Sequence, residues 1–132
     1  MKRSPIRKKG KSEISKVQRK LWELCKQYTR GKYGNTCYTC RKGGLEGSNW
    51  HTGHYLPKAS LGAYLKYDPR VLRPQCYHCN INLGGAGADY HLRLIEEEGK
   101  PYVNRIHKDR QITVKALDHY YKMIEWYQEA LA

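Results

Sequence analysis

The sequence predicts an α+β fold in which a zinc-pinned β-β-α unit is flanked by helices and preceded by a basic flexible N-terminal arm. Three observations carry this prediction. Two Cys-x-x-Cys pairs occupy residues 37–40 and 76–79, short extended segments lie between them, and helically spaced apolar residues occur near both ends of the chain. A length of 132 residues suits one domain, which we place at residues 12–132.

The composition predicts a thin core that a metal would help to stabilise. Hydrophobic residues make up 39% of the chain, Phe is absent, and Tyr occurs 12 times. A chain of this size buries less than about 70% of its unfolded surface, so a structural metal adds stability where the core cannot. No stretch approaches the roughly 18 apolar residues of a membrane span, and the N-terminus lacks the apolar core of a secretory signal. We therefore expect a cytosolic protein without a membrane partner.

The charge favours a polyanionic partner. Lys and Arg number 25 against 12 Asp and Glu, which gives a net charge of +13. Neutralising phosphates releases their condensed counterions, so a surplus of this size favours nucleic acid. The alternatives are a basic protein that is merely soluble and one that lies on anionic lipid. Lipid would call for a basic face opposite a continuous apolar face, and no helix here clearly shows one.

The first eleven residues are basic and contain no acidic side chain. We expect residues 1–11 to be a disordered arm that contacts phosphates when nucleic acid is bound; a solubilising tail is the alternative. Its basic residues are Lys2, Arg3, Arg7, Lys8, Lys9 and Lys11.

Helical spacing begins after this arm and predicts an N-terminal helix over residues 12–31. Ser12 or Ser15 can cap its start, and Gly31 is expected to end it. The apolar stripe comprises Ile14, Val17, Leu21, Leu24 and Tyr28, with Cys25 beside it as a core thiol. Further nucleic-acid contacts are expected on the other faces of the helix, from Lys16, Arg19 and Lys20.

The two cysteine pairs predict a closed zinc site. A two-residue gap lets both thiolates of a pair reach one ion, and two such pairs complete a tetrahedron formed by Cys37, Cys40, Cys76 and Cys79. Four protein ligands leave no position for a substrate water, so this zinc is expected to be structural. A redox pair or an iron–sulfur cluster is the alternative.

The remaining elements follow from local signals. We expect a strand at residues 49–56, a connection at 57–68, an extended segment at 71–75, and a short helix that opens at the second cysteine pair and ends at Gly84-Gly85. Asp89 can cap a helix that ends at Glu98, before Gly99, and Pro101 starts the next segment. The zinc-containing core therefore spans residues 34–100, and C-terminal helices span 101–131, the last of them at about 113–130.

Two further runs resemble a nuclease signature. Gly53-His54-Tyr55-Leu56-Pro57 is followed, after the connection, by Leu72-Arg73-Pro74-Gln75-Cys76-Tyr77-His78-Cys79-Asn80. Together they resemble the HNH (ββα-metal) nucleases. The similarity is closer still to the phage NinG/Rap recombination proteins, which share the Gly-His-aromatic-aliphatic strand, the Pro-Gln-Cys-x-x-Cys-Asn run and a Tyr near the start of the next helix, here Tyr90. The resemblance covers about residues 34–105.

This resemblance implies a phage-encoded enzyme, located in the host bacterial cell, that hydrolyses phosphodiester bonds in DNA. Branched recombination intermediates such as Holliday junctions are the implied substrate. His54 would be the general base that activates water, and Asn80 would bind a catalytic Mg²⁺ or Mn²⁺. Arg73 would clamp the scissile phosphate, or would be an ordinary exposed arginine. The zinc would hold the strand and the helix so that His54 and Asn80 converge.

Gly53 departs from the HNH pattern, because an Asp or His usually stands immediately before the base as a second metal ligand. His51 is the first candidate for that role. Residues 51 and 54 of one strand point to opposite faces unless a bulge intervenes, so this assignment needs a bulge at Gly53. The other candidates are Asp89, His91 and Glu46. The middle Asn of the HNH pattern would fall near Val71, which cannot replace it.

Two other function classes stay open. One is a non-catalytic zinc-ribbon protein that binds DNA as a recombination accessory, and the other is an RNA-binding protein with the same charge. Symmetric cutting of a four-way junction would require a two-fold dimer, and the last helix around Tyr121, Ile124 and Trp126 is a candidate surface for a homodimer. The alternative is that the same stripe closes the core of the monomer.

Overall fold

The computed structural model describes the backbone of residues 5–132 and the side chains of residues 13–132. It has the mixed, helix-rich α+β architecture that the sequence predicts, with a small sheet of two strands. The elements in order are α1 (Pro5–Tyr33), β1 (His51–His54), α2 (Ala63–Lys66), β2 (Leu72–Gln75), a π-helical turn (His78–Asn82), α3 (Gly87–Glu98), α4 (Lys100–Asp109) and α5 (Ala116–Leu131).

Helix α1 is longer at both ends than the prediction. It begins at Pro5 rather than near Ser12, since proline lacks only an N–H that the first turn leaves unpaired anyway. The backbone of residues 5–11 is therefore helical, which corrects the prediction of a disordered arm there. The helix also continues past Gly31, and Gly34 follows its end with a left-handed φ of 75°. Residues 1–4, and the side chains of the basic residues predicted in the arm, lie outside the described part of the chain.

The sheet pairs the histidine strand with the segment that leads into the second cysteine pair. Strands β1 and β2 are antiparallel, with His51 opposite Gln75 and His54 opposite Leu72. Strand β1 is shorter than predicted because residues 47–49 form a 3₁₀ turn. The side-chain oxygen of Asn49 in that turn accepts a hydrogen bond of 2.8 Å from the Tyr77 N–H, which ties the start of β1 to the second cysteine pair.

The core lies between α1, α5 and strand β2, whose Leu72 belongs to the same cluster of buried residues. Val17, Leu21 and Cys25 of α1 pack against Tyr120, Ile124 and Tyr127 of α5. The predicted buried role of Cys25 is confirmed. Tyrosines replace the missing phenylalanines, and their buried hydroxyls find acceptors. Tyr127 donates to the Tyr67 carbonyl at 2.6 Å, for example.

Several boundaries differ from the prediction. The long connection contains α2, and α3 begins at Gly87, so Asp89 lies in its first turn rather than at its cap. The last helix begins at Ala116. Ile124 belongs to the monomer core, in agreement with the alternative for this stripe, whereas Tyr121 and Trp126 are exposed. In the part of the chain that the structure describes, no helix has the length and apolar character needed to cross a membrane.

Candidate functional site

The four predicted zinc ligands form one cluster. Their sulfur atoms all lie within 4.8 Å of one another, and Cys40 Sγ is 3.9 Å from Cys76 Sγ. Four sulfurs at 2.3 Å from one tetrahedral ion would be about 3.8 Å apart, so the arrangement fits zinc. Burial raises the pKa of the Cys37 thiol, but hydrogen bonds from the Cys40 backbone and the Thr39 hydroxyl outweigh that effect and lower it to about 6. The cluster can therefore hold a structural zinc.

Gln75, at the end of β2, links this cluster to the rest of the site. Its side-chain nitrogen donates to Thr39 Oγ1 at 3.1 Å, inside the first cysteine pair, and to the Gly85 carbonyl at 2.9 Å, just beyond the second. The Tyr38 N–H also donates to the Pro74 carbonyl at 2.8 Å. Both cysteine pairs are thus bonded to the same strand.

Gly53 is required by this Gln75 side chain. A Cβ atom built at Gly53 overlaps the side-chain amide of Gln75, which is completely buried. The position that carries a metal ligand in the HNH pattern is therefore adjacent to space that Gln75 already fills. The absence of a ligand at Gly53 follows from packing.

His54 lies at the end of β1 in a constrained, partly buried position. Its ring stacks on Trp22 of α1, with centroids 5.6 Å apart and planes 8° apart. Its Nε2 is 2.8 Å from the Lys66 carbonyl oxygen. Since a carbonyl only accepts, Nε2 carries the proton and Nδ1 keeps a lone pair in the neutral ring. Burial above all, with a smaller effect of the charges of Lys58 and Lys66, outweighs the hydrogen bond to the Lys66 carbonyl and lowers the pKa of His54 to about 4, so the imidazole is neutral at pH 7.

His51 and Asn80 are in direct contact. The Asn80 side-chain nitrogen lies 2.9 Å from His51 Nδ1, and His51 Nε2 lies 2.9 Å from the Ser48 carbonyl oxygen. His51 therefore donates through Nε2 and accepts from Asn80 through Nδ1. This chain of hydrogen bonds orients the amide of Asn80 and uses the lone pair that His51 would offer a metal.

One cavity collects the catalytic candidates. His54, Asn80 and Thr52 line a cavity of about 430 Å³ together with Trp22, Lys58 and the glycines 84, 85 and 87. The hydroxyl of Thr52 is buried and has no hydrogen-bond partner among the described residues. A buried polar atom without a protein partner usually binds water or a ligand.

The predicted role of Arg73 is wrong. Its side chain is 0% exposed, so it can neither clamp a substrate phosphate nor be an ordinary surface arginine. Its guanidinium donates to the carbonyls of Pro69, Arg70 and Leu72 and lies 4.5 Å from the ring centre of Tyr33. It also forms ion pairs with Glu97 and Glu98 at 3.5 Å. The Arg73 guanidinium thus links α3 to the sheet instead of binding a phosphate.

The other candidates for the missing metal ligand do not line the cavity. Glu46 precedes the 3₁₀ turn, and Asp89 lies in the first turn of α3. His91 Nδ1 lies 2.6 Å from the buried Tyr55 hydroxyl, which also contacts His107. These residues therefore do not lie with His54 and Asn80.

Basic side chains surround the cavity. Lys16, Arg19 and Lys20 are exposed on α1, as predicted. Of these, Arg19 lines a cleft with Lys58 and Lys66, and Trp22 joins that cleft to the main cavity. A third cleft, beyond Trp22, includes Lys26 and Arg30 and contains His51.

The sequence analysis did not identify several contributors to the site, namely Trp22, Thr52, Lys58, Gln75 and the Lys66 carbonyl. Trp22 lies beside the predicted apolar stripe of α1, and an aromatic residue off such a stripe was the available signal. Gln75 belongs to the Pro-Gln-Cys run that carries the family resemblance, but the sequence analysis assigns it no role. Nothing in the sequence indicates that the Lys66 carbonyl, twelve residues beyond His54, reaches its ring.

The chain is similar to known bacteriophage proteins. The family described as Bacteriophage Lambda NinG protein matches residues 1–132. Protein ninG of Salmonella phage P22 is 33% identical over 75 residues, covering 57% of this chain and 36% of that protein. Protein ninG of Escherichia phage 933W is 33% identical over 70 residues, covering 53% and 33%. These matches span about a third of the relatives' own length. No solved structure matches. Because the family match covers the whole chain, the protein belongs to the NinG family of bacteriophage proteins.

Proposed function

We propose that this protein is a metal-dependent DNA endonuclease of the HNH type that acts on branched recombination intermediates such as Holliday junctions. One observation carries the proposal: His54 and Asn80 line the same cavity. Thr52, whose buried hydroxyl has no hydrogen-bond partner among the described residues, lines that cavity too. The order of β1, β2, the π-helical turn and α3 is the order of a ββα-metal core, which supports the assignment.

His54 is the general base of the proposed reaction. The Lys66 carbonyl holds its Nε2–H, and the Trp22 ring fixes its plane, so the Nδ1 lone pair has a defined direction. A neutral imidazole can accept a proton from water at pH 7, and its low pKa makes it a weak base that depends on position for its effect. Positioning of this kind contributes to catalysis by holding reacting atoms close together.

Asn80 is the proposed ligand for Mg²⁺ or Mn²⁺. These ions prefer oxygen ligands, and the His51 contact to the Asn80 nitrogen leaves the amide oxygen for a cation. His51 is then a residue that orients the ligand, in place of the direct ligand predicted from the sequence. Bound there, a divalent cation would supply a positive charge to offset the negative charge that develops on the scissile phosphate.

Lys58 replaces Arg73 as the basic side chain at the cavity. Its ammonium lies 5.7 Å from the ring centre of Trp22, and the side chain lines the cavity with His54. Together with Arg19 and Lys66 in the adjoining cleft, it provides positive charge along a path that a phosphate backbone can follow.

The experiment compares His54→Ala with His119→Ala. His119 is a matched control, because it also stacks on an aromatic ring, Tyr64, and its Nε2 also faces a carbonyl, at 3.3 Å, but it lies on α5 outside the cavity. Cleavage of linear, flap and four-way DNA is measured with and without Mg²⁺. We expect the parent to cut only with the metal and to prefer branched DNA. His54→Ala should lose cleavage and keep binding, and His119→Ala should cut as the parent does.

Cleavage by His54→Ala at the parental rate would refute the catalytic assignment. A non-catalytic zinc-ribbon protein that binds branched DNA is the second candidate function. The observation that favours it is Gly53, which leaves the proposed cation without the usual strand ligand. For that function, the parent would bind four-way DNA and cut none of the three substrates with either metal.

A further inference from the structure

The π-helical turn exposes a cluster of large apolar side chains beside the candidate active site. Tyr77, Ile81 and Leu83 are 48%, 50% and 52% exposed. Single exposed apolar residues are common on protein surfaces, but three in one short turn form a patch, and such patches mark interaction sites. We call residues 77–83 the apolar turn.

The apolar turn is held rigidly in this exposed position. Cys76 and Cys79, which bracket its start, belong to the four-cysteine cluster. Its backbone is closed by hydrogen bonds from the Leu83 N–H to the His78 carbonyl and from the Gly85 N–H to the Cys79 carbonyl, both at 2.9 Å. A rigid turn does not fold its apolar side chains back into the core, so they stay available to a partner.

The apolar turn also adjoins the candidate catalytic residues. Asn80 lies within it and lines the cavity with His54, and the cavity wall continues into Gly84 and Gly85. Tyr77 packs edge-on against His51, with ring centres 5.5 Å apart. A ligand that contacts Ile81 or Leu83 is therefore next to the group proposed to bind the catalytic cation.

The charge around the turn indicates what that ligand is. The first cysteine pair, which the cluster holds against the second, is followed by exposed Arg41 and Lys42. The whole chain carries a net charge of +13. An anionic partner fits this charge, and DNA combines negative phosphates with flat apolar bases. In a continuous duplex those bases are stacked and covered; at a branch or an unpaired end their faces are accessible.

We propose that Ile81 and Leu83 form a wedge that inserts between unstacked bases at a branch point and thereby directs the adjacent active site to branched DNA. Apolar side chains that enter base steps act in this way in other DNA-binding proteins, and the unstacking they require is least costly where pairing is already interrupted. This inference takes its DNA partner from the proposed function and adds the residues that select the DNA structure.

The test measures unstacking without cleavage. A four-way junction carries 2-aminopurine at its branch point, and binding is followed by fluorescence with no added Mg²⁺ or Mn²⁺. The parent is compared with the double variant Ile81→Ser/Leu83→Ser. The control is Leu92→Ser, because Leu92 is 59% exposed but lies on α3, outside the apolar turn. Zinc content verifies the fold, and if the double variant loses zinc, Ile81→Thr and Leu83→Thr are tested singly.

We expect the parent and Leu92→Ser to raise the fluorescence strongly. The double variant should lose most of this rise and bind the junction about tenfold more weakly, since base contacts contribute at this level, with unchanged affinity for linear duplex. Equal fluorescence and junction affinity in the parent and the double variant would overturn the inference, as would an equal loss of affinity for linear duplex or a change only in self-association. The fluorescence test does not depend on cleavage. If the parent unstacks the junction here but cuts no DNA in the cleavage experiment, the proposed endonuclease activity is refuted and the proposed wedge is still supported.

Discussion

The substitution Gly53→Ala probes the junction between the sheet and the two cysteine pairs. A methyl group at this position would overlap the side-chain amide of Gln75. That amide is fully buried, and its nitrogen is held by Thr39 at 3.1 Å and by the Gly85 carbonyl at 2.9 Å. Gln75 cannot move aside without breaking these hydrogen bonds, so the strain spreads to both cysteine pairs.

The expected cost follows from those contacts. Overpacking a well-filled interior costs about 1–3 kcal/mol, and loss of one or two buried hydrogen bonds adds about 1 kcal/mol each. The free energy of unfolding should therefore fall by about 2–5 kcal/mol, a large part of the roughly 5–15 kcal/mol that stabilises a typical domain. The melting temperature should fall by roughly 10 °C for a chain of this length.

Urea unfolding at a fixed zinc concentration measures this effect. Gly87→Ala is the control, because no atom lies within 4 Å of a Cβ atom at that helical position, and it should be neutral or slightly stabilising. The double variant Gly53→Ala/Gln75→Ala removes the overlapping amide, so it should lose less stability than the sum of its single variants. A Gly53→Ala protein within about 0.5 kcal/mol of the parent, or strictly additive variants, would refute the packing account of Gly53.

Three other substitutions test separate parts of the structure. Cys76→Ser should reduce bound zinc from about one ion per chain to none and unfold the domain, because structural zinc contributes about 10 kcal/mol or more in small domains; metal analysis and circular dichroism measure both effects, and a folded metal-free variant would contradict them. Arg73→Met should lower stability by about 3 kcal/mol, since the carbonyls of Pro69, Arg70 and Leu72 lose their donor at about 1 kcal/mol each. It should keep the parental DNA affinity, because Arg73 is 0% exposed; a selective loss of DNA binding would instead support the role of Arg73 as a phosphate clamp. His54 should make stability depend on pH, because burial first of all lowers its pKa to about 4 from an ordinary 6.5. The unfolded chain then binds a proton before the folded one does, so this stability is complete above pH 6.5 and is lost as the pH falls toward 4. In saturating zinc, the advantage of the parent over His54→Gln should shrink by about 2 kcal/mol between pH 7.5 and pH 5, and a constant difference would contradict the burial of a neutral imidazole.

The parts of the fold that depend on local spacing could be predicted from the sequence. The four cysteines form the predicted cluster, β2 lies within the predicted extended segment, and α3 ends at Glu98 before a Gly99 with a φ of 90°. Each of these features follows from residues close together in the chain, such as a two-residue gap between ligands or a glycine that tolerates a left-handed conformation. Such signals need no knowledge of the remaining structure.

The misassigned residues depend on partners far away in the chain. Arg73 looks exposed in sequence because arginine usually is, but Glu97, Glu98 and Tyr102 come from helices 24 or more positions further on and enclose it. Trp22 lies off the apolar stripe of α1, and only the folded structure places it on His54. Residue type and periodicity report which face of an element is apolar, and they do not report which side chain from another element occupies a given space.

The contacts of Gln75 explain how the four-cysteine cluster, which lies outside the cavity, determines the positions of the proposed catalytic residues. With 39% hydrophobic residues and no Phe, the chain has little apolar packing with which to position a short sheet of two strands. The Gln75 side chain bonds to Thr39 in the first cysteine pair and to Gly85 beyond the second, its bulk requires glycine at residue 53, and the residue after that glycine is His54. The second cysteine pair leads directly into Asn80, whose N–H donates to the Cys76 carbonyl at 3.0 Å. The proposed base and the proposed cation ligand are thus each one covalent step from a position that the cluster determines, so loss of zinc should separate them.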